Sequence, residues 1–178
     1  MPMYYIVGLG NPGPEFEGSP HNTGRFFAAL FQKKYKGENA KIILPEVYMN
    51  QSGKAVKNIP AKRLILIHDD IDLPLGRFKI VFNRGSGGHK GVQSVIRALG
   101  TEKFVRIRIG ICPPKKSARG GSASGGKPNH KELMKYLTSK LKPAQISQLK
   151  KISKKIIEAI EVMINEGPEK AMTLYNKN

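Results

Sequence analysis

His21, Asp69, Asp70, Asn11 and Asn50 are the side chains whose types and placement could do chemistry together. His21 stands with Asn22 just before an apolar helix pattern, and Asp69 and Asp70 follow the apolar run LILI at 64–67 almost directly. Tyr48-Met49-Asn50 comes shortly after another strand-like run at 40–44. A carboxylate beside an imidazole holds the ring tautomer and favours the charged form, which is what a His needs to take a proton from water. An Asn amide can donate to the oxyanion of an attacked ester. No Ser or Cys has a nucleophile-elbow setting, so direct attack by water is simpler than a covalent route. Each group also has a plainer role. A His at a helix start often only packs, with Asn22 as the N-cap, and Asn11 could simply cap its turn.

Two glycine-rich segments add to the set. Gly8-Leu9-Gly10-Asn11-Pro12-Gly13 fits a dinucleotide fingerprint by letters, but Pro12 and Pro14 flank the last glycine and the next helix begins only near Asn22. A pyrophosphate site needs the helix to start inside the glycines. The better reading is a tight turn at a strand's carboxyl end, lining a ligand crevice. The second segment, GSGGHKG at 85–91, opens a helix, and its backbone N–H groups could bind an anion such as an RNA phosphate. A metal site is not expected. His21, His68, His89 and His130 are far apart, with no i,i+4 pair, and an Asp69, Asp70, Asp72 cluster is a weak ligand pattern.

The elements that must carry these groups alternate. Apolar runs at 3–9, 40–44, 64–67, 77–82 and 104–112 read as strands, and the last alternates apolar residues with Arg106 and Arg108. Helical spacing marks 22–35, 89–99 and a long stripe from Ile146 to Ile164, with a short helix at 52–59. This pattern predicts a single α/β domain, a three-layer sandwich around a central mixed, largely parallel sheet. The strand at 77–82 follows the one at 64–67 closely, which would pair those two antiparallel. The segments holding Asn11, Tyr48 and Asp69 should then open on one sheet edge. SARGGSASGGKP at 117–128 reads as a mobile loop, either linker or lid, ahead of C-terminal helices spanning about 130–175.

Composition narrows the partner. Thirty-one Lys and Arg against thirteen Asp and Glu give a net charge of +18 in 178 residues, an excess that points to a polyanion. No apolar run is long enough to span a bilayer. A single cysteine, Cys112, excludes a disulfide framework. The first strand begins at once, without a signal peptide ahead of it, which fits a cytoplasmic location.

The blocks IVGLGNPG at 6–13, HN at 21–22, YMNQSGKAV at 48–56, HDDIDLPLG at 68–76, GSGGHKG at 85–91, FVRIRIGI at 104–111 and EGPEKAMTLYN at 166–176, in this order, resemble bacterial-type peptidyl-tRNA hydrolases over nearly the whole chain. The resemblance implies cleavage of the ester joining a peptide to the terminal ribose of tRNA, without a cofactor, by a monomer. It implies His21 as the base and Asp69 as its support. Asn11 would contact substrate near the scissile group and favour N-blocked aminoacyl-tRNA, while Tyr48 and Asn50 would line the peptide and ester site. Lys79 and Arg108 would meet tRNA phosphates.

The chain departs from that family pattern in several places. Lys90 stands where an Asn is usual, Phe16 where a Tyr is usual and Pro20 where an Arg is usual. Lys90 exchanges an amide for a cation that only donates, although it could still reach the ester carbonyl or a phosphate. The span between His21 and Tyr48 is short, which implies a trimmed strand or hairpin. The retained Asn11, His21, Asn50 and Asp69 favour an active enzyme. Lys90 favours the alternative, an RNA-binding relative that has lost the chemistry.

Overall fold

Residues 64–67 alternate sides of a strand, so one chain segment serves two cores. Ile65 and Ile67 pack with Ile6, Phe27, Phe31, Ile107 and Ile160 on one face. Leu64 and Leu66 pack with Val7, Leu9, Val92, Val95 and Phe104 on the other. The computed structural model describes residues 2–113 and 129–177; the expected loop at 117–128 lies outside the described residues. Among the described residues, β1 (Tyr4–Gly8), β2 (Ala40–Ile43), β3 (Leu64–Pro74), β4 (Phe78–Phe82) and β5 (Val105–Cys112) form one sheet in the order β2-β1-β3-β5-β4. Only β4 is antiparallel. Helix α1 (Thr23–Lys34) covers the first face with α4 (Pro143–Glu166) and α5 (Pro168–Tyr175), and α2 (Lys90–Leu99) covers the second. The mixed, largely parallel sandwich is therefore present.

One expectation needs correction, and another needs its bounds moved. β4 pairs with β5, with Ile80 opposite Ile107, and not with the strand before it. Both sides of β3 are already taken by parallel partners β1 and β5, so the chain must cross β5 to find an edge. It does so at Gly110, where a Cβ would meet the Pro74 carbonyl oxygen at 2.0 Å. The short helix expected at 52–59 is present, but it lies earlier along the chain and is of 3-10 type. It spans Met49–Ala55 and presses Gly53 against α2, where a Cβ would lie 2.3 Å from the Ser94 carbonyl oxygen.

The stripe on α4 buries Leu149, Ile156, Ile160, Met163 and Ile164 and leaves Lys150, Lys151, Lys154 and Lys155 exposed. α3 (His130–Thr138) begins with a capping box, Asn129 accepting from the Glu132 N–H and Glu132 accepting from the Asn129 N–H. After α5 the Asn176 carboxamide accepts from the Ile80 N–H at 2.9 Å and donates to the Ile80 carbonyl at 2.8 Å. A side chain thus stands beside edge strand β4 where another strand's backbone would pair. No helix of the described residues is long and apolar enough to cross a membrane.

Candidate active site

β1 ends opposite Ile67 of β3, and β3 runs on through His68, Asp69 and Asp70. That overhang places Asp69 past the end of its neighbour, beside the turn that follows β1. A cavity of about 620 Å³ opens there. Its walls include Asn11, His21, Tyr48, Asn50, Asp69, His89, Lys90 and Arg108, with Leu133, Met134 and Leu137 contributed by α3.

His21 reaches this cavity from a short 3-10 turn, Pro20–Asn22, ahead of α1. Gly24 lets α1 approach the sheet, since a Cβ there would meet the Ile67 carbonyl oxygen at 2.2 Å. The loop before His21 is also tied down from the far end of the chain. The Leu141 N–H donates to the Gly18 carbonyl at 2.8 Å, and the Lys140 ammonium donates to the Pro14 and Glu17 carbonyls.

The Asp69 carboxylate serves two imidazoles. His21 Nδ1 lies 2.9 Å from its Oδ2, and His89 Nε2 lies 2.7 Å from its Oδ1. His21 and Asp69 are both buried. Burial would push the carboxyl up, but the two imidazoles and their hydrogen bonds outweigh it and hold Asp69 well below the usual carboxylate range. Burial likewise pulls His21 down and nearby Lys90 opposes its charge. The Asp69 carboxylate and its hydrogen bond prevail, and His21 sits above its ordinary 6.5. With Nδ1–H donating to a fixed carboxylate, Nε2 of His21 carries the lone pair that can take a proton. His21, Asp69 and His89 bring three possible metal-ligand atoms within 4.8 Å of one another, but both carboxylate oxygens are engaged by imidazole N–H groups.

Asn11 is held from both sides. The Asn22 side chain accepts from the Asn11 N–H and donates to the Asn11 carbonyl, each at 2.9 Å. Asn22 therefore makes no side-chain cap on α1, contrary to the plainer reading. The Asn11 side-chain oxygen accepts from the Met49 N–H at 2.7 Å. Its oxygen being engaged, the amide N–H₂ is what it offers the cavity.

The other expected residues differ in placement. Tyr48, 57% exposed, Asn50 and Lys90 lie on the cavity wall. Phe16 packs its ring edge against Tyr48, 6.4 Å between centroids, and supports the rim. Arg108 is also on the wall, but its Nε donates to Asp70 at 2.5 Å. Lys79 sits opposite Arg108 on β4 and outside the cavity lining.

Three side chains gain importance that spacing alone did not reveal. His89 joins Asp69, and its Nδ1 accepts from the Gly91 and Val92 N–H groups at the start of α2. His is an unusual N-cap, and that oddity was the available signal. Arg106 is fully buried and donates to the Arg84 and Gly85 carbonyls. Burial, with Arg108 and Arg84 close by, lowers its guanidinium to about 10. His68 donates from Nδ1 to the Asp69 carbonyl at 2.7 Å, and burial pushes it well below 6.5.

The family profile described as peptidyl-tRNA hydrolase matches residues 5–178. This chain belongs to the peptidyl-tRNA hydrolase family. A peptidyl-tRNA hydrolase of Thermodesulfovibrio yellowstonii is 40% identical over 203 residues, covering 98% of this chain and all of the relative. One from Pseudothermotoga lettingae is 36% identical, covering 98% and 97%. The crystal structure of peptidyl-tRNA hydrolase from Acinetobacter baumannii superposes with a TM-score of 0.82 over 98% of this chain and 95% of that one, at 24% identity. That likeness extends over nearly the whole of both chains and shows a shared fold.

Proposed function

We propose that this chain hydrolyses the ester between a peptide, or an N-blocked amino acid, and the terminal ribose of tRNA, freeing the tRNA for reuse. The observation that carries this reading is the His21–Asp69 pair at 2.9 Å on the cavity wall, in a chain matched by the peptidyl-tRNA hydrolase profile from residue 5 onward.

The chemistry follows from the geometry. His21 Nε2 takes a proton from water as the oxygen attacks the ester carbonyl carbon, and Asp69 stabilises the imidazolium that forms. The amides of Asn11 and Asn50 are the donors available to the tetrahedral oxyanion. Collapse breaks the bond to the ribose oxygen, which takes the proton back from His21, so the base is regenerated. No cofactor or metal enters this sequence. Tyr48, on its Phe16 support, offers a face to the peptide. Lys79, Lys90 and Arg108 offer charge to the tRNA backbone, in keeping with the +18 excess. The reading assigns the work to a cytosolic monomer.

The second reading is an RNA-binding relative without turnover, favoured by Lys90 in place of an amide. One assay separates them. Purified protein incubated with N-acetyl-aminoacyl-tRNA should cleave the ester, and His21→Ala should abolish cleavage while tRNA binding survives. Folded protein that binds tRNA without turnover establishes the second reading.

A further inference from the structure

Asp69 carries two histidines, and they are not equivalent. His21 uses Nδ1 toward the carboxylate at 2.9 Å and keeps Nε2 for the cavity. His89 is engaged at both nitrogens. Nε2 faces Asp69 Oδ1 at 2.7 Å, and Nδ1 faces the Gly91 and Val92 N–H groups at 3.1 and 3.2 Å. Backbone N–H groups can only donate, so Nδ1 must hold the lone pair and the proton must sit on Nε2. Protonating Nδ1 would break the cap and set an N–H against the N-terminus of α2. His89 therefore cannot serve as a second base, and it can only donate to Asp69.

We infer that His89 is a positioning residue for the reaction proposed above: its neutral ring links the first turn of α2 to Asp69, fixes the carboxylate, and tempers how strongly Asp69 holds the His21 proton. A carboxylate that already accepts from His89 is a weaker acceptor toward His21. Without that donor, Asp69 would bind the imidazolium more tightly, and His21 would remain protonated at a pH where it must act as a base. The other groups facing this centre are fixed in kind. Lys90 from α2 opposes charge on His21. His68, beside Asp69 on β3, is held neutral by burial. Asp70 is engaged by Arg108 of β5.

Two substitutions divide the ring's functions. Asn can retain the cap acceptor near the place of Nδ1 but is too short to replace Nε2. Gln can supply an N–H near the place of Nε2 while losing the cap geometry. The experiment follows the His21 ring by NMR through a pH titration in the wild type, His89→Asn and His89→Gln, with thermal unfolding alongside. In His89→Asn the His21 midpoint should rise by about one pH unit, with the melting temperature nearly unchanged. In His89→Gln the midpoint should stay near wild type while the melting temperature falls. Turnover of N-acetyl-aminoacyl-tRNA below the midpoint should drop about tenfold in His89→Asn, the scale of one hydrogen bond to a charged group. An unmoved His21 midpoint in His89→Asn, or a larger rise in His89→Gln, overturns the inference. So does a wild-type spectrum with the His89 proton on Nδ1. The titration needs no substrate, so a failed ester assay would overturn the function and leave this test standing.

Discussion

Asn22 holds Asn11 by both backbone groups, accepting from its N–H and donating to its carbonyl, each at 2.9 Å. This pairing puts one asparagine in charge of another and frees the Asn11 side chain to bridge Met49 and the cavity. Asn22→Ala leaves two backbone groups without their partners. We expect a stability loss of about 1–3 kcal/mol, the range for unsatisfied buried polar groups, and a fall in kcat/KM larger than in tRNA affinity. Denaturant unfolding and ester cleavage measured on the same preparation check both parts.

The pH dependence follows from His21. The base form is required, and the folded imidazole sits above 6.5 because Asp69 overcomes burial. Activity should therefore rise with pH through a midpoint above 6.5. Asp69→Asn removes the cause, so the midpoint should fall below 6.5 and the plateau rate should drop by about 10²–10⁴-fold. The linked stability has the opposite sense. A raised imidazole contributes its stabilisation fully below 6.5 and loses it as pH climbs through the folded midpoint. Thermal melts across the same pH range should decline while the rate rises.

Lys90→Asn tests the cation on the cavity wall. Lys90 opposes charge on His21, so its removal should shift the acid limb upward. The plateau rate should be preserved or raised. Where Lys90 meets a tRNA phosphate, the salt dependence of binding should also flatten by about one counterion. A complete loss of turnover would show that the cation has become necessary to the reaction.

Arg106→Met removes a buried guanidinium that donates to the Arg84 and Gly85 carbonyls. Those carbonyls begin the glycine-rich segment that carries His89. The variant should lose about 2 kcal/mol of stability and show greater hydrogen exchange across 84–91 than elsewhere. Uniform exchange across the chain would mean that Arg106 supports the core and not this loop.

The sequence was most readable where periodicity was strong. The unbroken apolar run at 64–67, the Arg106/Arg108 alternation of β5 and the α4 stripe all announced their elements. His21, Asp69, Asn11 and Asn50 were legible because they fall after strands and before a helix, which points them to one edge. The continuation of β3 to Pro74 was hidden by four polar residues, His68, Asp69, Asp70 and Asp72. Their pairing with β5 overrides local propensity. The partner of β4 was hidden because it depends on Gly110 yielding room for a crossing, a long-range condition. His89 was hidden because its importance depends on two bonds made at once to different elements.

One side chain near the end of the chain bears on molecules other than itself. Edge strands invite neighbours to add on, and β4 is such an edge. At Ile80 the invitation is already answered, because the Asn176 carboxamide occupies both outward-facing backbone groups. An incoming strand would therefore find both of its hydrogen-bonding partners at the middle of β4 already taken.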